Sequence, residues 1–437
     1  MRVLIFDLDF TLANTTECLP YLTTSGGRGQ VVAALDAGDI SVEAYDRVLV
    51  RDFNSSFTND LCAVVVSDSP KSYCVKVLDE CGYDIEEQYV FGSQGKPMVD
   101  FDQIIDLLVE ELDVEADDLE FLVIGDSPKD IYFAHRIEAP SIFAAWGTRH
   151  DLELARQSMP TRVAQDHDEL RSHVRSFLDG HLIYENHDFY ERFDFQDPDE
   201  IDRISLDEIG FVKEYVPNRE NYRGDNDRWA SRDLHWVVKP AKNYDEDHHR
   251  YNREMQLYGS DGVFDTRSLK SLAGIYKRAF KTWLEEQGVE GKVVIVPVPP
   301  SVPHECNLSS PVELISGWWS VWVTDEVENI EMGSYDVVRR ILPKHPSHDT
   351  PGPRHMDDQF PTLGLVPDSE IEEDIDYVVI FDDVVTSGSH MNAVASILSS
   401  AEIIPGNPTY LGFALFKTVH PENDILNLGR LNFGNLR

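Results

Sequence analysis

Five short apolar runs punctuate the chain: Val3 to Phe6, Ala63 to Val66, Phe121 to Ile124, Val293 to Val296 and Tyr377 to Phe381. Each gives way to polar or turn-forming residues such as Asp, Ser or Gly, and then to a helical spacing of apolar positions. Continuous rather than alternating apolarity marks strands buried on both faces, as in a parallel sheet covered by helices. In open sheets of this kind ligands bind beyond the C-terminal ends of the strands, so the polar residues just past each run are the first candidates for chemistry. Three runs fall before about residue 150 and two after 290, which predicts an α/β chain of two domains. The boundaries read as 1–178 and 232–437. The polar stretch between them, 179–231, is rich in Asp, Glu, Asn and Arg; its first half reads as linker and its second half as an extension packed on the C-terminal domain. No internal repeat relates the two halves.

The first run ends in Asp7-Leu8-Asp9-Phe10-Thr11. Two carboxylates one residue apart at a strand end can divide labour: one attacks phosphorus, the other manages a proton, and a hard divalent cation neutralises the charge between them. The same pattern also occurs in ordinary strand-end turns. The second run ends at Ser67-Asp68-Ser69, where a hydroxyl and the start of the next helix can hold a phosphoryl oxygen, or where the serine only caps the helix from Pro70. Lys96 lies in the loop Gly92-Ser93-Gln94-Gly95-Lys96-Pro97, able to bring an ammonium to the transferring phosphate or to stay solvated. The third run ends at Gly125-Asp126-Ser127-Pro128-Lys129-Asp130, which offers two further carboxylates for Mg²⁺.

Taken together, these four strand ends resemble the haloacid dehalogenase (HAD) superfamily, whose signature runs DxDxT, Ser or Thr, Lys, GDxxxD. The resemblance covers about residues 1 to 178, including Ala145-Trp146-Gly147 after the fourth strand. It implies that Asp7 forms an aspartyl-phosphate, that Asp9 acts as general acid and base, and that Ser67 and Lys96 bind the phosphoryl group. Asp126 and Asp130 would hold Mg²⁺ beside Asp7 and the Asp9 carbonyl. Lys71 competes for the lysine role because it follows Ser67 closely. An Asp two residues after the nucleophile, followed by Thr11, fits phosphatases better than dehalogenases. Any cap over the site would have to come from Asn14 to Leu61, much of which reads as one or two helices, including Ser41 to Val50; a small or absent cap leaves selectivity to a bulky substrate or to the neighbouring domain.

In the C-terminal half, the strand Tyr377 to Phe381 runs into Asp382-Asp383-Val384-Val385-Thr386-Ser387-Gly388-Ser389, with an apolar helix from Met391. Two carboxylates can accept from a ribose diol while the turn and helix start aim N–H groups at a 5′-phosphate; a plain strand-to-helix turn is the alternative. The segment resembles the 5-phosphoribosyl-1-diphosphate (PRPP) loop of type I phosphoribosyltransferases. A second match, Val294-Ile295-Val296-Pro297-Val298-Pro299-Pro300-Ser301, is similar to the diphosphate loop of the branch associated with DNA-uptake competence, with Val298, Pro299, Pro300 and Ser301 as the loop. That branch also has arginines ahead of its PRPP loop, matched here by Arg339, Arg340 and Arg354 alongside Lys344 and His345. The resemblance covers about 232 to 420. The branch's Cys-rich zinc module has no counterpart here, which weakens a DNA-uptake role. The stretch Asp245 to Arg250, with His248 and His249, reads as a solvated face or a metal ligand set, and Trp318 and Trp319 as packing or as a base-stacking pair.

Charge narrows the functions. Lys and Arg total 38 against 79 Asp and Glu, a formal net charge of −41 in 437 residues. Such a surface repels phosphate backbones, which excludes non-specific nucleic-acid binding. Acid spread along the chain suggests adaptation to high salt, where screening weakens self-repulsion. Five cysteines without a CxxC pair fit a reducing cytosol, the first apolar run is too short for a secretory segment, and no run approaches a membrane span. The expectation is a cytoplasmic bifunctional enzyme of nucleotide or ribose-phosphate metabolism, acting on small phosphate esters and PRPP with Mg²⁺. Its rival is a phosphatase gated by a C-terminal domain that only senses PRPP or a nucleotide.

Overall fold

A computed structural model describes residues 1–22, 27–55, 58, 60–194, 198, 204–256, 263–344 and 356–421. Two parallel sheets organise it, one in each half, and both are covered by helices on their two faces. The first contains β1 (Arg2–Phe6), β2 (Leu61–Val66), β3 (Val90–Phe91), β4 (Glu120–Gly125), β5 (Ser141–Ala144) and β6 (Arg162–Ala164) in the order β3-β2-β1-β4-β5-β6, every neighbouring pair parallel. Alternate strand residues feed opposite cores. Leu4, Phe6, Ala63, Val65, Leu122 and Ile124 pack on one face with helices α1 (Arg28–Ala37), α2 (Arg47–Asn54) and α3 (Lys71–Cys81). Val3, Ile5, Cys62, Val64, Val66 and Val123 pack on the other with α4 (Phe101–Leu112) and α5 (Pro128–Arg136). This two-sided burial is why the strands read as unbroken apolar runs.

The second sheet contains β7 (Gly210–Tyr215), β8 (Gly291–Pro297), β9 (Ile330–Ser334), β10 (Ile375–Val385) and β11 (Gly406–Thr418) in the order β9-β8-β10-β11-β7, again all parallel. One face packs against α6 (Leu269–Glu286) and α7 (Pro311–Glu326), where Trp319 stacks on Phe280 at 4.8 Å between ring centroids and donates its indole N–H to the Ala273 carbonyl. The other face packs against α8 (Ser389–Ala401). Trp319 is thus a core residue rather than a base-stacking platform. Edge strand β7 comes from the polar 179–231 stretch.

Three local expectations need correction. Ser41 to Val50 is not one helix: Glu43–Ala44 pairs with Ala13–Asn14 as a short ribbon, and the helix starts only at Arg47 because the Asp46 carboxylate accepts from the Val48 N–H at 2.6 Å. Strand β10 does not stop at Phe381; Asp382 and Asp383 belong to it. The following helix starts at Ser389 rather than Met391, once Gly388 at φ +78° has turned the chain.

Candidate functional site

In the first sheet the strand order reverses between β1 and β4, the place where an open α/β sheet leaves a crevice. Asp7 follows β1 and Asp126 follows β4, so parallel pairing in register delivers both carboxylates to that crevice. Asp130 reaches the same point from the first turn of α5. Ser127 and Asp130 cap that helix reciprocally, with the Asp130 carboxylate accepting the Ser127 N–H at 3.1 Å. Gly125 makes room for it, since a Cβ there would lie 2.2 Å from the Asp130 carboxyl carbon. Carboxylate oxygens of Asp7, Asp126 and Asp130 lie within 4.8 Å of one another, the only such grouping of three metal-ligating side chains among the described residues.

Lys96 enters this cluster from its loop and donates to Asp7 and to Asp130, both at 2.5 Å. The loop is held by Asp68, whose carboxylate accepts the Lys96 N–H at 2.6 Å, and by Arg136, which donates to the Pro97 carbonyl at 2.6 Å. Lys71 is exposed at the start of α3, away from the pocket lining. Ser67 is buried in the same pocket lining as Asp7, its hydroxyl accepting the Ser69 N–H at 3.1 Å. The Asp9 carboxylate turns toward α3, where it accepts from Ser69 Oγ at 3.0 Å and from the Tyr73 hydroxyl.

Three buried carboxylates around one ammonium leave excess negative charge. Burial pushes the Asp7 carboxyl up to about 7, with Asp130 and Asp9 adding to the rise and Lys96 opposing it. Asp126 is driven well above the usual carboxylate range, first by burial and then by Asp7 and Asp130. A hard cation with oxygen ligands suits that donor set, because its charge offsets the carboxylate repulsion. The residues present therefore fit Mg²⁺.

Further lining residues escape sequence inspection. Lys129, Arg149 and His150 stand around the same pocket, and the C-terminal half supplies Asn243, Cys306 and Leu308 to it. The helices of Asn14 to Leu61 pack on the sheet instead, and among the described residues of that stretch only Leu19 reaches the pocket. The seam between the halves is built: Arg149 donates to the Asn243 carbonyl at 3.1 Å, the Tyr132 hydroxyl donates to Glu305 at 2.7 Å, and Tyr132, Phe189, Cys306 and Ile341 form a small core of their own. His249 is buried against Ser309 Oγ at 2.8 Å and His248 pairs with Asp245, so the two histidines serve packing rather than a ligand cluster.

The second sheet has its own reversal between β8 and β10. Beyond β8 the Val298 to Ser301 turn begins with the Val298 N–H bonded to the Phe381 carbonyl at 2.8 Å. Asp382, Val384, Val385, Thr386, Ser387, Gly388 and Ser389 line a separate small cavity with Gln359 and His390, and Asp383 stands beside Asp382. Burial, followed by Asp383, pushes Asp382 well above the ordinary carboxylate range. Buried Arg340 ties the two loops together, donating to the Pro300 carbonyl at 2.9 Å and to His390 Nε2 at 2.7 Å, with burial lowering its pKa to about 9. His345 and Arg354 lie outside the described residues.

No protein-family model matches the sequence, and no curated protein matches it. Solved structures similar to the chain include a hydrolase from Pseudomonas syringae (18% identity, TM-score 0.33, 40% of this chain and 98% of that one). A HAD family hydrolase from Deinococcus radiodurans, with bound phosphate and sodium, gives 16% identity and TM-score 0.30 over 42% of this chain and 98% of that one. Adenine phosphoribosyltransferase from Saccharomyces cerevisiae gives 15% identity and TM-score 0.22 over 43% of this chain and 93% of that one.

Proposed function

We propose that the N-terminal site is a Mg²⁺-dependent phosphohydrolase acting through an aspartyl-phosphate, and that the C-terminal site binds PRPP and transfers its phosphoribosyl group. The observation that carries the first half is the convergence of Asp7, Asp126, Asp130 and Lys96 at the sheet's switch point. An Asp7 oxygen attacks phosphorus and the ester oxygen leaves with a proton from Asp9; water, deprotonated by Asp9, then attacks the aspartyl-phosphate and releases phosphate. Lys96 balances the charge of Asp7 and Asp130 during both steps, and Ser67 lies where it can hold a phosphoryl oxygen. Bound Mg²⁺, held by Asp7, Asp126 and Asp130, would reduce the repulsion between the carboxylates and the incoming phosphate dianion.

At the second site, Asp382 and Asp383 would accept from the ribose hydroxyls, the Val384 to Ser389 turn would donate to the 5′-phosphate, and Val298 to Ser301 would hold the diphosphate. Coupling within one chain supports a role in nucleotide or ribose-phosphate metabolism, and five free cysteines suit a cytoplasmic setting. The test is a screen of nucleotides and sugar phosphates for phosphate release, with and without PRPP, accompanied by an assay for base-dependent diphosphate release. Asp7→Asn should abolish phosphate release while keeping the melting profile; wild-type turnover in that variant would refute the nucleophile assignment.

A further inference from the structure

The wall between the two sites carries cations that the phosphatase chemistry leaves unused. Lys96 is engaged by Asp7 and Asp130, but Lys129 and Arg149 line the same pocket and make no ion pair with a carboxylate among the described residues. Lys242 joins them from the C-terminal half. Its neighbour Asn243 lines the pocket and accepts from Arg149 through its carbonyl, and the Lys242 carbonyl accepts at 2.8 Å from the N–H of Leu308, another lining residue. Lys242 likewise has no carboxylate partner among the described residues. In a chain with 79 acidic and 38 basic residues, three cations along one seam without a carboxylate partner among the described residues point to an anionic ligand.

Lys242 is solvent-accessible by its own surface, yet protein surrounds it closely enough to push its pKa down to about 8, first through burial and then through Lys129, while Asp68 and Asp383 pull the other way. Lys129 and Asp68 of the pocket lining and Asp383 of the second site all act on it, so Lys242 stands within electrostatic reach of both sites. The backbone sets the scale: from Ser301 of the diphosphate turn to Cys306 in the phosphatase pocket is five residues, at most about 18 Å of extended chain.

We propose that Lys129, Arg149 and Lys242 form an anion site on the seam between the halves, which holds a second phosphoryl group of the ester hydrolysed at Asp7. The substrate class is thus a small sugar phosphate with phosphoryl groups at both ends, one placed at the nucleophile and the other on the seam; this rests on the phosphohydrolase reading above. Phe10, whose ring lies 5.9 Å from the Arg149 guanidinium, and Leu308 flank the space between the two groups.

The experiment compares ribose 5-phosphate with ribose 1,5-bisphosphate as substrates of the full-length protein with Mg²⁺, in wild type and in Lys242→Gln, Lys242→Arg and Arg149→Gln. Wild type should prefer the bisphosphate in kcat/KM by about tenfold or more, the scale of one charge-assisted contact, with most of the preference in KM. Lys242→Gln and Arg149→Gln should each cut that preference to within about threefold, whereas Lys242→Arg, which keeps the charge, should retain most of it. Equal use of the two esters by wild type, or a full preference in Lys242→Gln, overturns the anion site and leaves the phosphohydrolase reading standing. Failure of wild type to hydrolyse either ester or any other in the screen overturns both.

Discussion

Burial governs Asp7 more than any single neighbour does. Its folded pKa of about 7 lies above the ordinary value of 3.8, so below about pH 7 the carboxyl keeps a proton that a cation must displace. Two consequences share one sign. Without metal, the site's contribution to stability is fully present only below the ordinary value of 3.8 and is lost as pH rises toward 7, at up to about 1.4 kcal/mol per pH unit for one proton. With metal, the half-saturating Mg²⁺ concentration should fall with rising pH most steeply below about pH 7, by up to about tenfold per unit for each proton released. Phosphate release titrated with Mg²⁺ across that range checks it; half-saturation independent of pH would contradict the assignment of Asp7 as a ligand. Removal of Mg²⁺ by chelation should likewise abolish turnover reversibly.

The hinge between elements β4 and α5 is tight enough to be probed by one methyl group. Gly125→Ala would set a Cβ against the Asp130 carboxyl, so the helix start, its cap and the Lys96 partner must shift together. A loss of about 1 to 3 kcal/mol in chemical denaturation is expected, with weaker Mg²⁺ binding; unchanged stability would mean that α5 moves freely on β4. Elements of this kind were legible in the sequence. Runs such as Val3 to Phe6 and Phe121 to Ile124 announce buried parallel strands, and Asp7, Ser67, Lys96, Asp126 and Asp130 stand just past strands or in a glycine-flanked loop. Strand β7 was hidden because an edge strand is half solvated, so Lys213 and Glu214 interrupt its apolar residues. Long strand β11, with Phe413, Ala414, Leu415 and Phe416 all buried, carried an apolar signal that the strand-end motifs did not draw attention to. Asn243, Cys306 and Leu308 were invisible as pocket residues because only tertiary packing brings them to Asp7, more than two hundred residues earlier in the chain.

For the whole molecule, the net charge of −41 sets a long-range repulsion that no local contact removes. In 1 M KCl the Debye length shrinks to about 3 Å, so the melting temperature should rise from dilute buffer to molar salt by about 2 to 4 °C for each kcal/mol of repulsion relieved in a domain of this size. A melting temperature that fell steadily with KCl would argue against a high-salt setting. The parallel pairing of β7 with β11 has a further consequence, one of timing. β7 ends at residue 215 and β11 begins at 406, so 406 − 215 = 191 residues of synthesis separate the strand from its partner. At about 5 to 20 residues per second the nascent chain carries an unpaired strand edge for roughly 10 to 40 seconds after β7 is made. Asn243, Cys306 and Leu308, which line the pocket around Asp7, are made within that interval, so the N-terminal site is completed only by chain synthesised after its own sheet.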